Sequence, residues 1–416
     1  MKYFGELTAH WRPLTATVIG LGAGYGFTNY TASIMGPHLI GEFGWTRSEF
    51  AFVNSLALVL IVVFPLIGRL TDTVGVRRTA LIGVIALPAT NIALSAMTGD
   101  IRVYMALFLV QAIFCATTTS TVYVRIVIQY IERARGLGLA IVASMPALSL
   151  AILGPLLNEF VEANGWREGY LALAIFTGAL GATALLMMPS ERKDAALAIA
   201  PGWLSARRDY AGILKNKAFW IMFAAVAFCN LPQVLGLSQL NLMLLENGVP
   251  TSEASVMISS FSAGMFIGRF LCGLALDRFP SHIVAAVTMS LPSIGLFLIA
   301  SDLDAPVLLG LSVFLIGLSY GGEGDIVAYL VARNFGVRIF SSVQGLMTGV
   351  ISGSIALGAA LLSFTLGLTD SFAPFLTVCG AVVLAGGLLF LLLKGSEPHV
   401  EQARVKAPAT AAPAAD

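Results

Sequence analysis

The chain has 416 residues, a net charge of +1, 57% hydrophobic residues and only 11% charged ones. A soluble domain carries roughly twice that charged fraction, so most of this surface is built to meet lipid, in line with a mean hydropathy of +0.86. A near-neutral, apolar chain of this kind excludes a nucleic-acid binder and an acidic solvating protein.

Taken in chain order, twelve apolar segments are long enough to span a bilayer. The first six cover 13–40, 48–70, 79–97, 103–131, 136–160 and 169–189. After a polar stretch come 219–244, 254–276, 283–300, 305–332, 341–368 and 372–393. Strands of a barrel would alternate with period two, and these segments do not, so the fold class is an all-α integral membrane protein. The first segment is too long and too rich in glycine for a cleaved signal peptide. Two six-helix bundles are expected, 1–189 and 218–394, joined by a linker at 190–217. The linker's Trp203, Leu204, Tyr210 and Ile213 suit a short helix at headgroup level. The tail, 395–416, lacks bulky residues and reads as disordered.

Lys and Arg set the orientation. Arg77, Arg78, Arg133, Arg135, Arg207, Arg208, Arg278, Arg333 and Arg338 all fall on the side of the termini. The opposite loops hold only Arg47, Arg102 and Arg167. The positive-inside rule places both termini in the cytoplasm, and a bacterial inner (plasma) membrane is the expected location. Cys115, Cys229, Cys272 and Cys379 sit in apolar runs without metal-ligand spacing, so neither a disulfide framework nor a zinc site is implied.

The two halves rhyme. GRLTDTVGVRR (68–78) closes the second segment, and GLALDRFPSH (273–282) closes the eighth, with Gly68/Asp72 and Gly273/Asp277 at equal spacing. RGLGLA after the fourth segment is echoed by QGLMTG after the tenth. Internal repeats of this kind build many transporters, with the substrate at the interface of the halves.

GRLTDTVGVRR resembles the loop signature of the major facilitator superfamily, G-x-L-x-D-x-x-G-x-x-[RK], matched at Gly68, Leu70, Asp72, Gly75 and Arg78. The resemblance implies twelve transmembrane helices in two pseudo-symmetric bundles. Gly68, Asp72, Gly75, Arg78, Asp277 and Arg278 are then expected to form a conformational latch. FGWTRSEF (43–50), ERARGLGLAI (132–141), NGWREGYLALA (164–174) and RNFGVRIFSSVQG (333–345) are similar to stretches of the monocarboxylate porters and the oxalate:formate antiporter-like group. That resemblance makes Arg269, in IGRFLCG, the carboxylate-binding residue. Two departures stand out. Met265 holds the position one turn before Arg269 where mammalian monocarboxylate carriers place an acid, and no Lys or Arg occurs in 341–368. A dianion clamped between two cations of the second half is therefore not expected.

SYGGEGDIVAYL (319–330) puts Glu323 and Asp325 into an apolar segment, where each ionised carboxylate costs about 2.5–3.5 kcal/mol or more. Arg269 lies eight residues before Asp277, and Asp325 eight before Arg333. Both sit about 12 Å inside the boundary at 1.5 Å per residue, and charges at matched depth are expected to pair. Glu323 and Asp325 point about 160° apart around a helix, so only one faces the site. Glu323 is taken as the proton-coupling group, with Asp325 the alternative. Arg125, eight residues before Arg133, either snorkels to the headgroups or serves as a second anion contact or a gate partner of Asp325. Tyr123 reads as a core aromatic or a substrate hydrogen-bonder, and Asn29 as a polar contact from the first segment. His38 reads as an interface residue with the option of titrating near neutrality.

HExxH and P-loop signatures are missing from the sequence, so neither an enzyme nor an ATP-driven pump is indicated, and no cofactor is expected. The expectation is a secondary active transporter, a monomer, carrying a small organic anion, a monocarboxylate with room for an aromatic one. Proton symport by alternating access is the preferred coupling. Protonation of the acid in the tenth segment frees Arg269 for the substrate carboxylate. An organic-anion antiporter, an efflux carrier and a non-transporting membrane sensor remain the alternatives. Sodium coupling also stays open, although no cage of carboxylates and carbonyls stands out.

Overall fold

A computed structural model describes residues 3–46, 50, 52–53, 56–189, 203–301 and 305–394. The proposed disordered tail and the first part of the linker lie outside the described residues. Every regular element among those described is helical. Ten spans are single apolar runs: Leu56–Val74, Val76–Ser95, Ile101–Tyr130, Arg135–Asn164 and Trp166–Met187 (spans 2–6), and Val256–Arg278, Ser281–Ala300, Pro306–Phe335, Phe340–Thr369 and Ala373–Leu393 (spans 8–12). The helix of span 8 begins earlier, at Thr251.

Spans 1 and 7 complete the set, and each is broken. Span 1 consists of Trp11–Gly22 and Tyr25–Phe43. At its break Gly24 lies against the Thr118 carbonyl with no room for a Cβ. The freed Tyr25 N–H donates to Thr118 Oγ1 at 3.0 Å, so the interruption leaves no orphaned donor there. Span 7 consists of Lys217–Asn230, a π-helical turn at Leu235–Gln239, and Leu240–Glu246. Pro232 explains this break, because it has no N–H to give to the carbonyl four residues earlier. Discontinuous helices at matching positions of two repeats mark the binding region of many carriers.

The linker forms a helix over Trp203–Lys215, turned by 73° from the first segment of span 7. It packs on the bundle. Ile213 is buried in the core, and Tyr210 donates to the Pro65 carbonyl at 3.4 Å.

The halves meet tightly at the end that carries the basic residues. Gly68 abuts the Ser341 carbonyl, and Gly345 abuts that of Phe64, so spans 2 and 11 touch backbone to backbone. Gly136 and Gly273 do the same for spans 5 and 8. Any side chain at these four positions would wedge the halves apart.

Candidate functional site

Arg269 sits midway along span 8 with about a fifth of its side chain exposed. Its Nε donates to the Gly321 carbonyl at 3.0 Å, and Nη1 to the Ala143 carbonyl at 2.6 Å. The Asp325 carboxylate lies 3.8 Å away from Nε. The pair is thus an ion pair without a hydrogen bond, the Nε–H being held by the Gly321 carbonyl. Gly321 allows this approach, because span 10 rests there on the Met265 carbonyl of span 8.

Arg269 also closes one end of a cleft. Ser144, Ala147, Leu148 and Ala151 of span 5 face Ser262, Met265, Phe266 and Arg269 of span 8 around a cavity of about 340 Å³. On each helix the spacing is that of a single face. The two helices are in contact at Gly136 and Gly273 and part beyond Ala143, leaving an apolar wedge with one cation at its narrow end. A larger bowl of about 610 Å³ lies around Glu246 and Glu253, but no basic residue lines it, so it offers nothing to an anion.

The nine-residue helix Arg135–Ala143, which begins span 5, is gripped at both ends by span 8. At its N-terminus Asp277 accepts from the Gly136 N–H at 2.7 Å and the Leu137 N–H at 3.1 Å. At its C-terminus Arg269 donates to Ala143. An acid at the amino end and a base at the carboxyl end both complement the helix dipole.

Asp72 repeats the arrangement in the other half. Its carboxylate accepts from the Ser341 N–H at 3.0 Å and the Ser342 N–H at 2.6 Å, at the start of span 11. Gly75 turns the following loop at φ 93°, a conformation open to glycine. Arg78 and Arg278 are exposed and make no bond across this interface among the described contacts.

Arg125 is brought to Asp72, with which it forms a buried ion pair. That corrects the snorkelling reading, because the side chain is buried and does not reach outward. Tyr123 is fully buried against Gly20 of span 1, a packing position away from the cleft. The Asn29 side chain lies outside the described residues, and His38 is half-buried in the outer part of span 1.

Glu323 and Asp325 diverge as their helical offset requires. Asp325 faces span 8, whereas Glu323 faces span 7, where Gln233 Nε2 donates to its Oε2 at 3.2 Å.

Three residues that make contacts at the basic end escaped sequence reasoning. Asp209 of the linker helix pairs with Arg69 of span 2 at 2.8 Å and with Arg338 before span 11 at 2.9 Å. An amino-terminal helix, Tyr3–Ala9, lies across the same end. Its Tyr3 hydroxyl donates to Asp277 at 2.7 Å, and Glu6 accepts the backbone N–H groups of Glu132, Arg133 and Ala134 at 2.9–3.0 Å. Burial opposes the charge on Glu6, but these three donors outweigh it and hold the carboxyl below its ordinary value of 4.5. Burial and the Asp277 carboxylate push the Tyr3 hydroxyl up. The partners are far apart in sequence, and no local pattern announces them.

Comparison with known proteins agrees with this architecture. The model of the Major Facilitator Superfamily matches residues 17–244, more than half of the chain. The chain belongs to the major facilitator superfamily. It is 25% identical over 391 residues to monocarboxylate transporter 3 of Rattus norvegicus, covering 90% of this chain and 78% of that one. Rat monocarboxylate transporter 4 is 24% identical, covering 92% and 82%. The MFS-type transporter pynF of Aspergillus niger is 23% identical, covering 84% and 80%. Among solved structures, FucP in its outward conformation superposes with a TM-score of 0.70 at 13% identity, covering 92% of this chain and 98% of that one. The proton:xylose symporter XylE gives 0.69 at 13% identity, covering 95% and 98%. These likenesses establish a multi-pass membrane transporter related to the monocarboxylate transporters, and not an enzyme.

Proposed function

We propose that this facilitator carries a small organic monocarboxylate by alternating access, coupled to a proton held at Asp325. The observation that carries the reading is the Arg269–Asp325 pair at the narrow end of the cleft, 3.8 Å apart. A guanidinium beside a buried acid is an anion site with its own internal competitor. When Asp325 takes a proton, the guanidinium loses its counter-charge and a substrate carboxylate replaces it. The loaded site is then neutral, which lowers the cost of moving it through the low-dielectric interior. Asp325 is preferred to Glu323 for this role because it faces Arg269 and Glu323 does not. The similarity to monocarboxylate transporters supports the anion.

With the basic end on the cytoplasmic side, the halves are closed inside while spans 5 and 8 diverge towards the outside, the arrangement of an outward-facing carrier. The anion reaches Arg269 from the wedge between spans 5 and 8. As it draws the guanidinium away from the Ala143 carbonyl, one of the two grips on helix Arg135–Ala143 is lost. Binding thereby loosens the inner closure.

The test is uptake of a panel of labelled weak carboxylic acids into proteoliposomes under an imposed pH gradient, with counterflow at zero gradient. The wild type should accumulate at least one acid when the outside is acidic. Asp325→Asn should keep counterflow and ignore the gradient, and Arg269→Ala should lose both. Indifference of the wild type to the gradient refutes proton coupling, and anion counterflow surviving Arg269→Ala refutes the site.

A further inference from the structure

Glu323 is left over by this scheme. It is 3% exposed, and among the described residues no basic side chain pairs with it. Its Oε2 receives a hydrogen bond from Gln233, yet its Oε1 has no partner. Asn230 lies within hydrogen-bonding reach of Glu323. The Asn230 amide nitrogen also donates to the Val226 carbonyl at 2.8 Å, and Asn230 Oδ1 has no partner. Gln233 Oε1 and the hydroxyl of Tyr320, one turn before Glu323, are likewise buried and unbonded.

One oxygen of the carboxylate, two amide oxygens and a hydroxyl on neighbouring residues are thus left without a partner, and among the described residues the carboxylate has no counter-charge. Each buried, unmatched polar atom is costly, and a cluster of them calls for a ligand. A water molecule would satisfy two acceptors but leave the charge. A proton on Glu323 would remove the charge and serve a single acceptor. A small hard cation meets both demands, because such ions are bound by oxygen atoms from carboxylates, amides and carbonyls.

The backbone gives the second, independent observation. Asn230 and Gln233 flank the break in span 7, between the end of its first helix at Asn230 and the π-helical turn that begins at Leu235. Pro232 leaves the Phe228 carbonyl without its usual helical donor. Interrupted membrane helices present carbonyls of this kind to coupling ions, and π-turns concentrate at functional sites.

We propose that Glu323, Asn230, Gln233 and Tyr320 form a sodium-binding site at the break of span 7, separate from the anion site at Arg269. Glu323 supplies the single negative charge, the two amide oxygens and the Tyr320 hydroxyl supply neutral ligands, and the net charge matches a monovalent ion. Asp325, two residues on, faces the opposite way and balances Arg269. The two carboxylates of span 10 therefore serve different ions. This inference does not depend on the cargo of the cleft.

The experiment is thermal unfolding of the purified full-length protein at constant pH and ionic strength, titrating sodium chloride against choline chloride, with 22Na⁺ binding on the same samples. Sodium should raise the unfolding temperature saturably, and choline should not. Glu323→Gln should abolish the shift and the bound isotope, whereas Asp325→Asn should keep both. Gln233→Leu, which retains the carboxylate, should weaken half-saturation by about tenfold or more, and it carries the test should Glu323→Gln fold poorly. Equal effects of the two salts, or a sodium shift that persists in Glu323→Gln, would overturn the assignment. Protection that follows pH and not sodium would leave a proton there and overturn it too. Shifts with organic acids in choline medium, lost in Arg269→Ala, report the anion site separately, so failure of either site is recognised on its own.

Discussion

Replacing Asp277 by Asn isolates the closure between spans 5 and 8. The carboxylate takes three bonds that exist only while the halves are closed at the basic end: two N–H groups at the start of helix Arg135–Ala143 and the Tyr3 hydroxyl. An amide keeps one acceptor oxygen and loses the charge. Hydrogen bonds to charged groups contribute about 1.5–3 kcal/mol, and a negative charge at a helix N-terminus adds about 0.3–1 kcal/mol. In the open state the carboxylate and the amide that replaces it are both solvated, so the loss falls on the closed state alone. About 2–3 kcal/mol corresponds to a shift of about 30- to 150-fold towards opening. Spin labels at Arg77→Cys and Phe279→Cys, both exposed and one on each half, report the opening by pulsed electron resonance, and the four native cysteines are buried. The wild type should show one short distance, and Asp277→Asn a second, longer population. An unchanged distribution in a folded variant would show that the Asp277 cap does not hold the halves together.

Asp209→Ala should act the same way but more weakly. Its bond across the halves goes to Arg338, whose side chain is 46% exposed, and such pairs contribute only about 0.2–1 kcal/mol. The same labels should register at most about a fivefold shift, shrinking further in high salt, and a larger or salt-independent shift would argue against this pairing. Glu6 makes stability depend on pH in a defined direction. Its folded carboxyl titrates below the ordinary 4.5, so its contribution is fully present above that value and fades as the pH falls through the depressed one. Glu6→Gln should lower the unfolding temperature at pH 7 and remove that part of the acid dependence. A parallel acid limb in both proteins would refute the role given to the three N–H donors.

The twelve spans were legible because lipid leaves the chain little choice: about twenty apolar residues are needed per crossing, and their lengths can be counted. The matched loops GRLTDTVGVRR and GLALDRFPSH located both carboxylate caps for a related reason, since a repeat displays its own equivalences. Depth along a helix also sufficed to pair Arg269 with Asp325. Depth did not suffice for Arg125, because it lies between Asp72, near the end of span 2, and the deeper Asp325 of span 10, and only the packing of span 4 on span 2 decides between them. The break in span 7 has its signal in Asn230-Leu231-Pro232, where a proline sits inside an apolar run, but hydropathy alone passes over it. The proposed sodium site was illegible for a similar reason: it joins one carboxylate to two amides across a break, and neutral amides do not stand out among charges. Asp209, Tyr3 and Glu6 act through backbone donors and distant arginines, which no local pattern records.

The geometry of span 8 ties cargo to conformation. Asp277 and Arg269 hold the two ends of helix Arg135–Ala143, and under the proposed mechanism the anion competes with the Ala143 carbonyl for Arg269. Binding then carries part of the cost of loosening this helix, and coupling of that kind is reciprocal. A variant that has already weakened the other grip should demand less of the anion. Asp277→Asn should therefore bind the substrate acid more tightly than the wild type, even though residue 277 lies about two helical turns from Arg269 and does not line the cleft. Measured by thermal shift or equilibrium binding, the gain is bounded by the conformational shift seen with the spin labels. If the label distances move while the anion affinity stays fixed, the two grips are independent, and the inner closure opens without reference to the cargo.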